Sequence, residues 1–247
     1  MAAPELLSDE GYRADGRRPA ELRKIRARMG VFAQADGSAY IVQGNTKALA
    51  VVYGPHEMRG SRSKALPDRR ALVNCQYSVA TFGTSERRRR PRGDRQTAEL
   101  ALQLQQTFEA AILTQLHPRS QIDIYVQILQ ADGGNYCAGV NAATLAVMDA
   151  GIPMRDLRVC ACSAGLAEDT PLADLSSPEE AAGGPRLVLA LLPASGQIAL
   201  LQLSARLHQE RLEAALEAAG QACRALHAVL DRVVRERLRE VTALLGD

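Results

Sequence analysis

The segment Ile122–Ala146, IDIYVQILQADGGNYCAGVNAATLA, decides the fold. Ile122–Leu129 alternates apolar and polar side chains as a half-buried strand does. Gly133-Gly134 then turns the chain into a small-residue helix over Ala138–Ala150, which Gly151-Ile-Pro153 ends. Backbone N–H groups at such a helix start are able to hold an anion. The same residues also serve as a plain glycine-rich strand-to-helix turn, so the segment alone sets architecture and leaves chemistry open.

Upstream, Val31–Ala35 and Ala39–Val42 flank Asp36-Gly37, which predicts a hairpin. Ala48–Tyr53 and Ala71–Phe82 read as strands. The segments Arg59–Arg70 and Glu86–Gly93 read as basic loops. From Asp94, a candidate N-cap, the period changes to 3.6 and a helix is expected to run to His117-Pro118. Downstream, Val159–Leu166, Leu187–Leu192 and Ile198–Leu203 are further strands. Leu212, Leu216, Ala219, Cys223, Leu226, Leu230, Val233, Leu238, Val241 and Leu245 form the stripe of one long helix over 207–245. The expectation is an α+β fold of mixed sheets with packed helices, a single domain over 1–247 with an extended leader over 1–20.

Composition narrows the class. The chain has 247 residues, 47% hydrophobic and 23% charged, which excludes a disordered tail or a fibre. The leader is acidic and lacks a signal peptide pattern, and Pro193 and Gly196 interrupt the longest uncharged run, so no membrane association is expected. Five cysteines at irregular spacing point to free thiols in a reducing compartment; neither they nor the four scattered histidines form a zinc pattern or a nucleophilic triad. No cofactor or metal is expected. The net charge of +2 hides a bias, because eleven Lys or Arg and three acids between Arg59 and Arg95 give +8, leaving −6 elsewhere.

Taken together, several strings resemble the ribonuclease PH family, which includes the ring subunits of the RNA exosome. They are Gly11-Tyr-Arg-Ala-Asp-Gly-Arg17, Gly44-Asn-Thr-Lys47, Tyr53-Gly-Pro-His-Glu57, Ile128–Gly134, Asn141–Ala146, Asp149–Asp156 and Ala173-Asp-Leu-Ser176. The resemblance implies a ribonuclease PH-like fold over nearly the whole chain. It also implies phosphate attack on the 3′-terminal phosphodiester of RNA.

Active relatives carry Gly-Thr-Arg at the helix start, where this chain has Gly134, Asn135 and Tyr136. Asp174 matches one family acid, but Arg186 falls where the second is expected, and Glu179 and Glu180 match positions that are not catalytic. The sequence therefore predicts a non-catalytic ring subunit that is not an enzyme, with degenerate site positions Asn135, Tyr136, Asp174 and Arg186. The alternative is an active phosphate-dependent 3′-to-5′ exoribonuclease using Arg186 as a phosphate donor; a weaker one is a free-standing RNA-binding protein.

Arg59, Arg62, Lys64 and Arg95 match RNA-contacting positions, and Tyr77 and Phe82 read as strand residues with no stacking role. The implied partners are homologous subunits in a hetero-hexameric ring, RNA-binding cap subunits, a separate hydrolytic ribonuclease and single-stranded RNA. The implied location is nucleus, nucleolus and cytoplasm.

Overall fold

The computed structural model describes residues 6–57, 70–84, 87, 94–156, 159–167 and 170–245. Two sheets are stacked about one helix. The first has five strands in the order β1-β2-β3-β5-β4, and the second has four in the order β7-β6-β8-β9. In the first sheet β1 is Ile25–Met29, β2 Gly37–Gln43, β3 Thr46–Glu57, β4 Leu72–Val79 and β5 Ser120–Gln130. All its neighbours are antiparallel except β4 and β5, which run parallel because α1, Arg95–Ala111, crosses between them. The second sheet holds β6 Cys160–Ala167, β7 Thr170–Ala173, β8 Arg186–Leu192 and β9 Gln197–Leu203, all antiparallel.

Helix α2, Asn135–Asp149, is buried from Tyr136 to Val147. A helix apolar all round belongs inside, and α2 packs on β2, β3 and β5 on one side and on β6 on the other. Its small residues permit that close approach. Its polar residues serve the second sheet: Asn141 donates Nδ2 to the Ala161 carbonyl at 3.0 Å, and its Oδ1 accepts the Ala161 N–H at 2.9 Å. Thr144 Oγ1 donates to the Val159 carbonyl at 3.0 Å. One apolar cluster thus runs through both sheets, including Ile41, Val52, Phe108, Ile124, Leu145, Cys162, Leu189 and Leu226.

The C-terminal helix α4 spans Gln209–Leu245, two residues shorter at its start than expected, and covers β6, β7, β8 and β1. Its Ala219, Cys223, Leu226 and Leu230 are buried, as the stripe predicts, but Ala215 is buried while Leu212 and Leu216 are only partly so, Val234 replaces Val233, and Leu238 lies exposed. Of the five free cysteines four are buried and Cys75 is half-buried. Burial pushes the Cys137, Cys162 and Cys223 thiols up, so they remain protonated packing groups.

Three local expectations are corrected. The first hairpin arm is Ile25–Met29 rather than Val31–Ala35, with Met29 opposite Ala39. Gly30, at φ +65°, ends it, and the Phe32 N–H donates to Ser38 Oγ at 2.9 Å, which turns Val31 and Phe32 outward. Helix α1 stops at Ala111 because tertiary pairing captures its last turn: Ile112 bridges to Met154, and the Arg155 N–H donates to the Ala111 carbonyl. The described part of the leader, residues 6–20, is folded in tight turns, with a bridge between Leu7 and Arg13, rather than extended.

Candidate functional site

The turn from β5 into α2 brings the site together. Gly134 is the N-cap of α2 in the left-handed region, and Gly133 before it has φ +78°. A Cβ on Gly133 would lie 2.5 Å from the Ser176 carbonyl carbon and 2.7 Å from Leu175 O and Ser177 N, so only glycine lets the start of α3, Ser177–Ala181, dock here. That docking sets a carboxylate on the helix start: the Gly134 N–H donates to Glu180 Oε1 at 3.0 Å. An acidic group at a helix amino end is the favourable electrostatic arrangement. Glu180 Oε2 in turn lies 3.4 Å from Arg186 Nη1, at the first position of β8.

A cavity of about 400 Å³ opens beside this point. It is lined by Gln96, Thr97, Glu99 and Gln103 of α1, by Asn135, Tyr136 and Arg186, and by Tyr77 of β4. Three of the four positions singled out in the sequence therefore meet in one place. Tyr136 is 2% exposed, and its hydroxyl lies 3.2 Å from Thr107 Oγ1 of α1. Burial pushes its phenol up, so it stays neutral. Asn135 Oδ1 and Gln103 Oε1 are buried acceptors without a partner among the described residues.

Asp174 does not reach the cavity. It is 1% exposed, sits at φ +54°, and faces Arg23. Its Oδ2 accepts from the Arg23 N–H at 2.9 Å and Nε at 3.0 Å, and its Oδ1 from Arg23 Nη2 at 2.7 Å and Gln43 Nε2 at 2.9 Å. Burial alone would push this carboxyl up; the Arg23 bonds and charge outweigh it and hold it below the usual carboxylate range. The remaining Arg23 donors go to the carbonyls of Asp132 at 2.7 Å and Gly133 at 3.2 Å, and to Thr46 Oγ1. Asp174 is thus a positioning residue that clamps the glycine turn through Arg23.

Two arginines of the leader extend the clamp that Arg23 begins. Arg13 makes a bidentate pair with Glu179, Nε to Oε1 at 2.7 Å and Nη2 to Oε2 at 2.9 Å, and donates to the Ala173 carbonyl at 2.6 Å. Arg17 donates to the Asp174 carbonyl at 3.2 Å. Sequence reasoning missed Arg13 and Arg23 as site-builders and set Glu179 and Glu180 aside. The signal for the carboxylates was present, because Ser176-Ser-Pro-Glu179 forms a capping box with proline in the first turn.

Of the expected RNA contacts, Arg95 opens α1 and is exposed, next to the cavity residues Gln96 and Thr97. Arg59, Arg62 and Lys64 lie outside the described residues. Among the described residues no group of three His, Cys, Asp or Glu is placed to hold a metal ion. No helix of the described residues is long and apolar enough to cross a membrane.

Two sheets joined by a buried helix, with a glycine turn clamped at its amino end, are the architecture of this chain, and the chain belongs to the 3′ exoribonuclease family of ribonuclease PH. Residues 21–153 match domain 1 of that family and residues 158–222 match domain 2. The chain is 76% identical to human exosome complex component RRP41 over the full length of both proteins. It is 40% identical to exosome complex component Rrp41 of the archaeon Methanopyrus kandleri, covering 94% of this chain and 95% of that one. Among solved structures, an Archaeoglobus fulgidus exosome with RNA bound to the active site superposes with a TM-score of 0.77 at 21% identity, covering 90% of this chain and 93% of that one, which shows the shared fold.

These findings correct one expectation. The reading that the chain is not an enzyme is overturned, because both halves match a 3′ exoribonuclease family and archaeal Rrp41 is among its relatives. Asn135, Tyr136 and Arg186 change which groups line the cavity; they do not place the chain outside that family.

Proposed function

We propose that this protein is a ring subunit of an RNA exosome that binds single-stranded RNA and takes part in its 3′-to-5′ degradation. The observation that carries the reading is identity of 76% to a human exosome component across the full length of both chains. The fold adds support. β9 is the edge strand of the second sheet, and Ile198, Leu201 and Leu203 on it are exposed. An apolar edge strand of this kind is an invitation to pairing, which homologous ribonuclease PH-like subunits in a hetero-hexameric ring would satisfy. Cap subunits, a separate hydrolytic ribonuclease, and residence in nucleus, nucleolus and cytoplasm complete the proposed setting. Imaging of the tagged chain checks the last, and a single confined location would reject it.

The test is co-expression with homologous subunits, with ring mass, RNA retention and phosphate-dependent release of nucleoside diphosphates read on the product. A chain that stays monomeric and retains no RNA sinks the proposal. The basic segment supplies a sharper measurement. Changing Arg59, Arg62 and Lys64 together to Ala is expected to weaken RNA binding and to reduce the slope of log affinity against log salt by about two to three. An unchanged slope would remove this segment from the RNA path.

A further inference from the structure

The most exposed large apolar side chain among the described residues is Phe82, at 74%. Its place in the alternating segment suggests a strand residue, but β4 ends at Val79 and Phe82 lies in the turn that follows. That turn is fixed by three backbone bonds: Ala80 N–H to Ile128 O at 2.8 Å, Gly83 N–H to Ala80 O at 2.9 Å, and Ala131 N–H to Gly83 O at 2.8 Å. The ring is therefore held out from the surface by ordered backbone.

Beside it runs an open groove of about 600 Å³ on the outer face of the first sheet, lined by Tyr40, Lys47, Phe82, Thr84, Leu129 and Gln130. Lys47 and Gln130 are cross-strand partners of β3 and β5. The groove thus combines the exposed Phe82 ring with the Tyr40 ring, Leu129, one ammonium and an amide. Arg87, also exposed, follows Phe82 by five residues within the +8 segment. This arrangement suits a ligand with a flat apolar face and a regularly placed negative charge.

We propose that this groove is a nucleotide subsite for single-stranded RNA, in which Phe82 stacks on one base and Lys47 pairs with the neighbouring phosphate. Base stacking on an exposed aromatic ring tolerates any sequence, and a single lysine supplies a phosphate contact without reading a base. Gln130 and Ala131 border the groove and Asn135 and Tyr136 border the cavity, so one turn links the two. The subsite rests on the reading that the chain handles RNA, but it concerns a surface outside the cavity.

The chain contains no tryptophan, so F82W introduces its single indole reporter. Titration of a short oligoadenylate into the full chain, alone and assembled with ring partners, is expected to quench that indole. Phe82→Ala should weaken RNA binding about ten-fold with its salt slope unchanged, Phe82→Tyr should keep wild-type affinity, and Lys47→Ala should lower the slope by about one. RNA that binds the wild type yet leaves the indole unquenched, with Phe82→Ala at full affinity, overturns the subsite while the RNA reading stands. An indole that shifts on assembly and then ignores RNA makes Phe82 a protein contact and also overturns it. Failure of the wild type to bind RNA at all removes the RNA reading itself and the subsite with it.

Discussion

Arg23→Met is expected to destabilise the protein by about 3–5 kcal/mol, the range for removing one partner of a buried ion pair. For a chain of this size that lowers the melting temperature by roughly 6–20 °C. The cause is specific. Asp174 would keep its burial and lose two of its four hydrogen bonds, those from Arg23 Nε and Nη2, while the backbone N–H of residue 23 and Gln43 still donate; the Asp132 carbonyl would lose its Arg23 donor and the Gly133 carbonyl would keep only Thr46 Oγ1.

The pH dependence separates this account from generic loss of packing. In the wild type the Asp174 carboxyl is held below its ordinary value, so its contribution is present above the unfolded value of about 3.9 and is lost as pH falls through the lower folded value. In Arg23→Met, burial dominates and raises the folded value above the unfolded one. The destabilisation should then be larger at pH 7 than at pH 3.5, measured by thermal melts of both proteins across that window. An equal loss at both pH values would show that Asp174 does not depend on Arg23.

Gly133→Ala carries the second large effect. The new Cβ meets backbone atoms of Leu175, Ser176 and Ser177 within 2.7 Å, and a left-handed φ of +78° adds strain for any L side chain. Left-handed geometry costs about 1–2 kcal/mol and forced overpacking about 1–3, giving about 2–5 together. Because the clash is with backbone, α3 must move, and the Gly134–Glu180 and Glu180–Arg186 contacts should open with it. Urea unfolding reads the first effect. Protease cleavage near residue 180, expected to rise in the variant, reads the second; an unchanged digestion pattern would show that the turn moves instead of α3.

Those two residues also show how legible the molecule is. The strand, glycine turn and buried helix around Gly133-Gly134 are plain in the sequence because local pattern and tertiary role agree there, as they do for β8, β9 and α4. Strand β1, IRARM, escaped because its exposed arginines interrupt a short apolar run. The clamp escaped for another reason: Arg13 and Arg23 pair with residues more than 150 positions away, and no local pattern encodes such a partner. Within the site, Asn135, Tyr136 and Arg186 line one cavity, whereas Asp174 is not in its lining and pairs with Arg23 instead. Reading substitutions at those positions as loss of enzyme status went further than the residues permit, as the family membership of both halves shows.

The span of the Arg13–Glu179 pair has a consequence for biosynthesis. The two residues are 166 positions apart, and ribosomes add about 5–20 residues per second. The N-terminal arginines therefore wait roughly 8–30 s for their carboxylates, through the synthesis of the whole first sheet. During that interval Arg13, Arg17 and Arg23 lack the Asp174 and Glu179 carboxylates, although the Gly133 carbonyl that Arg23 also binds is made earlier. The arginine clamp closes only after β7 and α3 have been made.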